Sequence, residues 1–224
     1  VLPPPSVTLP YAFSGEAVVG FGQQRSGLLE ALLVTLMRVS GGLLAGSLAA
    51  LVLAVLITEV KLLRRLILPL VQTLAPISPV AWVPFTIAVI GIGGQAAVFV
   101  VFLAVLGTMT LSLSAALDAI NPQYLNIAHN LRCTRKQIWL RVRLPAIAPS
   151  AMTSLRMAFF GAWMAVLAGE MAGINSGLGY MIIMAQQMYN MPLVMVGVMT
   201  IGAVGFVVDR LLLLLGRRFS GWSS

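Results

Sequence analysis

The sequence predicts an all-α polytopic membrane protein, and three observations carry that prediction. Of 224 residues, 59% are hydrophobic and only 9% are charged, against roughly a quarter charged in soluble domains. Two stretches, residues 39–58 and 66–117, hold no charge at all. The remaining charges are clustered: Lys61, Arg64 and Arg65 follow one apolar run, five basic residues lie between Arg132 and Arg143, and Arg217 and Arg218 follow the last run. A net charge of +8 distributed in this way is the positive-inside pattern of a chain dissolved in a lipid bilayer. It is not a nucleic-acid footprint, which gathers on one face of a domain.

Residues 1–27 are rich in Pro, Gly and Ser, with Glu16 and Arg25 as their only charges. They read as an extra-cytoplasmic lead-in to a single transmembrane domain over residues 28–224. An amphipathic stretch with Glu30 and Arg38 leads into residues 39–58, about twenty residues and so one crossing at ~1.5 Å per residue. Gly42 and Gly46 form a small-xxx-small pair, which serves either packing within the chain or a contact with a second copy. Gly41 and Gly46 have the separation of phosphate-loop glycines, but no Lys-Ser or Lys-Thr follows, so no ATP cradle is formed.

The 52 residues from 66 to 117 must cross twice, with Gly91-Ile92-Gly93-Gly94 as the turn. The first crossing carries Pro69, Pro76, Pro79 and Pro84, a density that breaks the helical ladder and leaves carbonyls without donors. Irregular backbone at membrane depth survives only where protein or water satisfies it. Ser78 and Trp82 are therefore candidates for lining a translocation path, the alternative being a proline kink packed on its neighbours. The second crossing, residues 95–117, carries Thr108, Thr110, Ser112 and Ser114 toward its inner half.

Residues 121–145 form a polar, basic island that reads as two short helices joined by a turn. Asn121 caps the first and Pro122 occupies its first position, where the missing N–H is not needed. Tyr124, Ile127, Ala128 and Leu131 then share one apolar face. Thr134 and Gln137 stand at capping-box spacing and open the second helix, which is expected to end before Pro145. Arg135, Lys136, Arg141 and Arg143 make this hairpin cytoplasmic and offer a compact surface to a soluble partner. His129, the only histidine, sits beside that surface. Cys133, the only cysteine, excludes an intrachain disulfide.

Residues 146–172 cross outward again and contain Arg156 and Glu170. Fourteen residues apart, the two lie ~40° apart around the axis and ~21 Å apart along it, so they cannot pair within one helix. Charged groups in a span are expensive and functional by default. Arg156 reads either as a contact for an anionic substrate or as a snorkelling side chain, and Glu170 as a hydrogen-bonding partner of the next loop. Met181, Met184, Met188, Met191, Met195 and Met199 recur every three or four residues, read as a flexible apolar stripe in preference to a soft-metal path. Pro192 starts a last crossing to about residue 215, with Asp209 and Arg210 near its inner end. Five spans result, with the amino terminus outside and the carboxyl terminus inside.

The loop Asn126-Ile127-Ala128, Arg132 and Val142-Arg143-Leu144-Pro145 resembles the cytoplasmic Glu-Ala-Ala loop of permease subunits in binding-protein-dependent ATP-binding-cassette importers. Ala128, Leu144 and Pro145 match that pattern. Asn126 and Arg132 stand where the family has Glu and Gly. Ser154-Leu155-Arg156-Met157-Ala158, Ala162-Trp163, Ala168-Gly169-Glu170-Met171 and Ser176-Gly177-Leu178-Gly179-Tyr180 are similar to elements of one branch. That branch serves nitrate, bicarbonate, taurine, alkanesulfonates and some pyrimidine vitamin precursors. The similarity runs over residues 2–222.

This resemblance implies the type I importer transmembrane fold in the bacterial inner membrane, with a second copy completing the pathway as a homodimer. It also implies a cytoplasmic ATP-binding subunit that holds ATP and Mg, and an extra-cytoplasmic solute-binding protein. The permease chain binds no cofactor or metal itself. Asn126, Ala128, His129, Arg132, Arg135, Lys136, Leu144 and Pro145 would face the ATPase, and Ser78, Trp82, Arg156 and Glu170 the pathway. Relatives usually carry one more hydrophobic helix before a stretch like Val1-Leu2-Pro3-Pro4-Pro5, which implies six spans in a full chain. Two other classes are an ATP-independent secondary transporter or channel and a membrane enzyme. The first wants acidic groups in mid-span, which Glu170 and Asp209 approach only near the ends. The second finds no HExxH, no paired carboxylates and no Ser-His-Asp set.

Overall fold

The computed structural model describes residues 18–19 and 26–219. Most of the expected lead-in, with Glu16 and Arg25, lies outside the described residues, as do the side chains of Arg217 and Arg218. Val18–Val19 (β1) pairs antiparallel with Ser26–Gly27 (β2), a two-residue ladder where the sequence required no strand. Helices follow: α1 (Leu28–Glu59), α2 (Lys61–Leu74), α3 (Pro79–Ile90), α4 (Gly94–Asp118), α5 (Pro122–Asn130), α6 (Arg135–Ile138), α7 (Leu144–Met171), α8 (Leu178–Gln187) and α9 (Met191–Phe219).

Among the described residues, Leu28–Glu59, Gly94–Asp118, Arg135–Met171 and Met191–Gly216 are each long and apolar enough to cross a membrane. The pair α2 and α3 passes the same test only when taken together, and it is bent by 105°, the geometry of a broken span or a re-entrant loop. Proline explains the break. Pro76 and Pro79 offer no N–H to the carbonyls four residues earlier, so the ladder stops at Ala75, and Pro79 restarts it as the first residue of α3. Gly91 turns the chain with φ 95°, a backbone that a side chain would strain.

α4 packs extensively against both α1 and α7, and its Val100, Val101, Val105 and Leu113 are buried. Close approach to α1 depends on Gly42 and Gly46, which settles the small-xxx-small pair as intrachain packing. A Cβ on Gly42 would stand 2.6 Å from Val101 Cβ, and one on Gly46 2.8 Å from Val105 Cβ. From α7, Phe159, Ala162, Trp163 and Val166 complete the core. The methionine series does not form one stripe. Tyr189, with φ 55°, turns the chain between α8 and α9, so Met181 is buried while Met188, Met191 and Met199 are exposed.

Candidate functional site

The basic island of residues 121–145 folds into a knuckle whose ends are fixed by local hydrogen bonds. Asn121 Oδ1 accepts the N–H of Gln123 at 2.9 Å and caps α5. At the far end Arg132 donates its N–H to His129 O at 2.9 Å and Cys133 to Ala128 O at 3.1 Å, the paired bonds of a Schellman turn. That turn needs a left-handed residue, and Arg132 supplies it with φ 52°, where glycine would avoid a strain of ~1 kcal/mol. Thr134 then opens α6 with a reciprocal capping box, its N–H reaching Gln137 Oε1 at 2.8 Å.

The expectation that this second helix ends before Pro145 is corrected. A π-helical turn, Trp139–Arg143, joins α6 to α7, so that Arg135–Met171 is one 37-residue span. In an α-helix, the ring of Pro145 would press on the carbonyl of Arg141. The wider turn, in which Leu144 donates to Trp139 O, opens the ladder ahead of the ring. The knuckle is therefore continuous with α7 through its α6 half, and α5 is joined to that half by the turn at Arg132.

Its outer surface is apolar as well as basic. Tyr124, Ile127 and Leu131 are 58%, 55% and 72% exposed, and only Ala128 of that face is buried. Asn126, His129, Arg132, Arg135 and Lys136 surround them, all exposed, while Leu144 and Pro145 are half-buried at the root. An exposed apolar patch rimmed by charge is the kind of surface that protein partners use. Behind it, Glu59 Oε1 accepts from Arg143 at 2.7 Å and from Trp139 Nε1 at 2.9 Å. Arg64 on α2 pairs with Asp118 at the end of α4 at 2.6 Å.

The break between α2 and α3 borders a cavity of about 250 Å³, walled by Ala75, Ile77, Trp82, Gly107, Thr108 and Gly161 among others. Trp82 thus lines a space, whereas Ser78 is exposed at the break and is not part of that wall. Thr108 keeps its hydroxyl on its own helix, donating to Ala104 O at 2.9 Å.

Arg156 and Glu170 stand apart from this cavity, and each has an opposite charge. Arg156 grips Asp209 of α9 through Nε at 2.9 Å and NH2 at 2.8 Å, a pairing that neither reading of Arg156 anticipated. Glu170 is fully buried. It accepts the N–H of Gly179 at 3.0 Å, as expected of the next loop, and also Arg38 NH1 at 2.8 Å and the hydroxyl of Thr35 at 2.9 Å. Arg38 further donates to Ser176 O at 2.7 Å and Ser176 Oγ at 2.6 Å. The sequence reading missed Thr35, Arg38 and Ser176. The available signal was the spacing of Thr35 and Arg38, which puts both on one face of a helix at the edge of a charge-free run, facing an acid in need of a cation.

Residues 42–221 match the family model described as the binding-protein-dependent transport system inner membrane component. This chain belongs to that family of ABC importer permeases. The permease is 32% identical over 195 residues to a Brucella melitensis protein named "Probable ABC transporter permease protein", covering 87% of this chain and 79% of that one. It is 27% identical to a nitrate import permease protein of Synechococcus elongatus (96% and 76% covered) and 31% identical to a bicarbonate transport system permease protein of that organism (82% and 66%). Among solved structures, the inward-facing MetNI methionine ABC transporter superposes with TM-score 0.68 at 19% identity, covering 84% of the permease and 92% of that chain. A bacterial alginate ABC transporter, solved with an alginate-bound periplasmic protein, gives 0.61 at 20% identity over 97% and 87%. At these identities the likeness shows a shared fold, that of importer transmembrane subunits. The permease is an integral membrane protein of importer type.

Proposed function

We propose that the permease moves a small anion across the bacterial inner membrane, driven by a separate cytoplasmic ATPase that docks on the α5–α6 knuckle. One observation carries this reading: an exposed apolar and basic patch sits on a short helical hairpin whose second helix, α6, is continuous with a long apolar helix through the π-helical turn. Force applied to the patch reaches α7 through a hydrogen-bonded turn and then through unbroken helix. Asn126, Ala128, His129, Arg132, Arg135, Lys136, Leu144 and Pro145 form or support the docking surface, and ATP and Mg belong to the partner. Residues 28–224 act as one transmembrane domain. A second copy of the permease completes the pathway, and an extra-cytoplasmic binding protein delivers the solute.

The nitrate and bicarbonate permeases among its relatives support an anion. So does the break at residues 75–78, because α3 starts at Pro79 beside the cavity that Pro79 and Trp82 line. The positive end of a helix dipole there favours negative charge. Arg156 and Glu170 bear on the pathway through its frame, since each is already neutralised by Asp209 or Arg38. Those pairings also leave Glu30, in the first turn of α1, as the one acid of the spans without a partner among the described residues, and it lies at a helix end, not in mid-span where a coupling ion would be carried.

Two measurements test the proposal. Reconstituted with its ATPase and binding protein, the permease should show ATP-dependent uptake from a panel of nitrate, bicarbonate, taurine and neutral solutes, with an anion preferred. Uptake confined to neutral solutes would overturn the substrate class. The double reversal Arg135→Glu, Lys136→Glu should reduce co-purification of the ATPase in detergent, and unchanged association together with unchanged uptake would overturn the coupling role.

A further inference from the structure

We propose that Glu59 is the positioning residue that hands displacement of the knuckle to α1 and to the joint at Val60, and thereby to the broken span that lines the cavity. This rests on the coupling reading above. Glu59 is the last residue of α1, and Val60 (φ −113°, ψ 105°) is a single extended residue before α2 begins at Lys61. Two donors of the π-helical turn, Trp139 Nε1 and Arg143 NH1, converge on the one Glu59 oxygen at 2.9 and 2.7 Å. The Arg143 guanidinium also lies 4.6 Å from the Trp139 ring centroid, so the two donors move together.

The turn that holds these donors is the part of the span able to rewind. A π-helical turn holds one residue more than an α-helical one, and restoring α-geometry rotates what precedes it by about 100° relative to α7. Any such rotation pulls on Glu59. The next element is free to respond: no side chain of α2 is buried, and its Arg64–Asp118 pair is solvent-exposed and so weakly restraining. α2 can pivot at Val60, and its far end is the break at residues 75–78, where Ala75 and Ile77 meet the cavity.

The test uses the whole transporter with its ATPase in proteoliposomes, in a Cys133→Ser background carrying Ser78→Cys as a reporter beside the cavity. The labelling rate of that cysteine by a membrane-impermeant maleimide is compared without nucleotide and after trapping with ATP and vanadate. In the Glu59 parent the rate changes on trapping. Glu59→Gln should co-purify the same amount of ATPase yet reduce that change about tenfold, a usual size for coupling between sites. The exchange Glu59→Arg with Arg143→Glu should restore it, which a merely misfolded Glu59 variant would not allow. An undiminished change in Glu59→Gln would overturn the proposal. So would loss of the ATPase from Glu59→Gln alone, since Glu59 would then serve docking. Failure of the parent itself to bind the ATPase would overturn the coupling reading, and is told apart because it precedes any change at Glu59.

Discussion

Arg38 and Glu170 meet at 2.8 Å with side chains 10% and 0% exposed, joining the first half of α1 to the last turn of α7. Around them Thr35, Ser176 and the N–H of Gly179 add further hydrogen bonds, and Thr35 in turn accepts the N–H of Leu178 at 2.9 Å. The loop that leads into α8 is thereby sewn to both spans. At the opposite face Glu59 joins the end of α1 to the start of the α7 span, so the two helices are tied at both ends.

Breaking one half of the outer pair leaves an uncompensated buried charge. Arg38→Met or Glu170→Leu alone should destabilise the permease by roughly 3–5 kcal/mol, while the double substitution should recover much of the loss. Thermal unfolding in detergent, followed by fluorescence size-exclusion, measures both. Equal losses in single and double variants would contradict the pairing.

Gly177 has φ 105°, and a Cβ there would overlap the Glu170 carboxylate. Gly177→Ala should therefore abolish the hub and lower the unfolding temperature sharply. Gly161→Ala meets open space and serves as the matched control, with stability expected to stay within ~1 kcal/mol.

Gly161 also lines the cavity beside the α2–α3 break. Gly161→Leu should leave assembly intact and block uptake in proteoliposomes, because the larger side chain fills a space of about 250 Å³. Unimpaired uptake would place the solute path elsewhere.

Arg132→Gly should stabilise the knuckle by ~1 kcal/mol, since the φ of 52° then carries no side-chain strain. Slower amide exchange at Cys133, whose N–H closes the turn, is the readout. The same substitution removes one exposed cation, so ATPase association should weaken even as the knuckle tightens.

Arg156→Gln should destabilise the permease through the stranded Asp209, and Asp209→Asn in the same chain should restore part of the loss. A change of solute preference in Arg156→Gln with Asp209→Asn, at native stability, would reveal a direct substrate role.

The caps of the knuckle were legible because they are local: Asn121 with Pro122 and Thr134 with Gln137 act over two or three residues, and the structure forms both. The break between α2 and α3 was legible for the same reason, since a proline removes its own donor wherever it sits. The end of the second knuckle helix was misread because Pro145 does break an α-helical ladder, and only a π-helical turn of five residues admits it without ending the span. The exposed apolar face of Tyr124, Ile127 and Leu131 was visible as a pattern, although periodicity alone does not say whether such a face turns inward.

What the sequence determined by itself was the solvent, the placement of the apolar helices along the chain, the clustering of the basic residues, and the turn chemistry between helices. Each follows from side-chain hydrophobicity and backbone donors within a few residues. The tertiary structure decided which charges meet: Arg38 with Glu170, Arg156 with Asp209, Glu59 with Arg143. Those partners lie 53 to 132 residues apart, and in a low-dielectric bundle their pairing is set by which helices pack together, a property no local window contains.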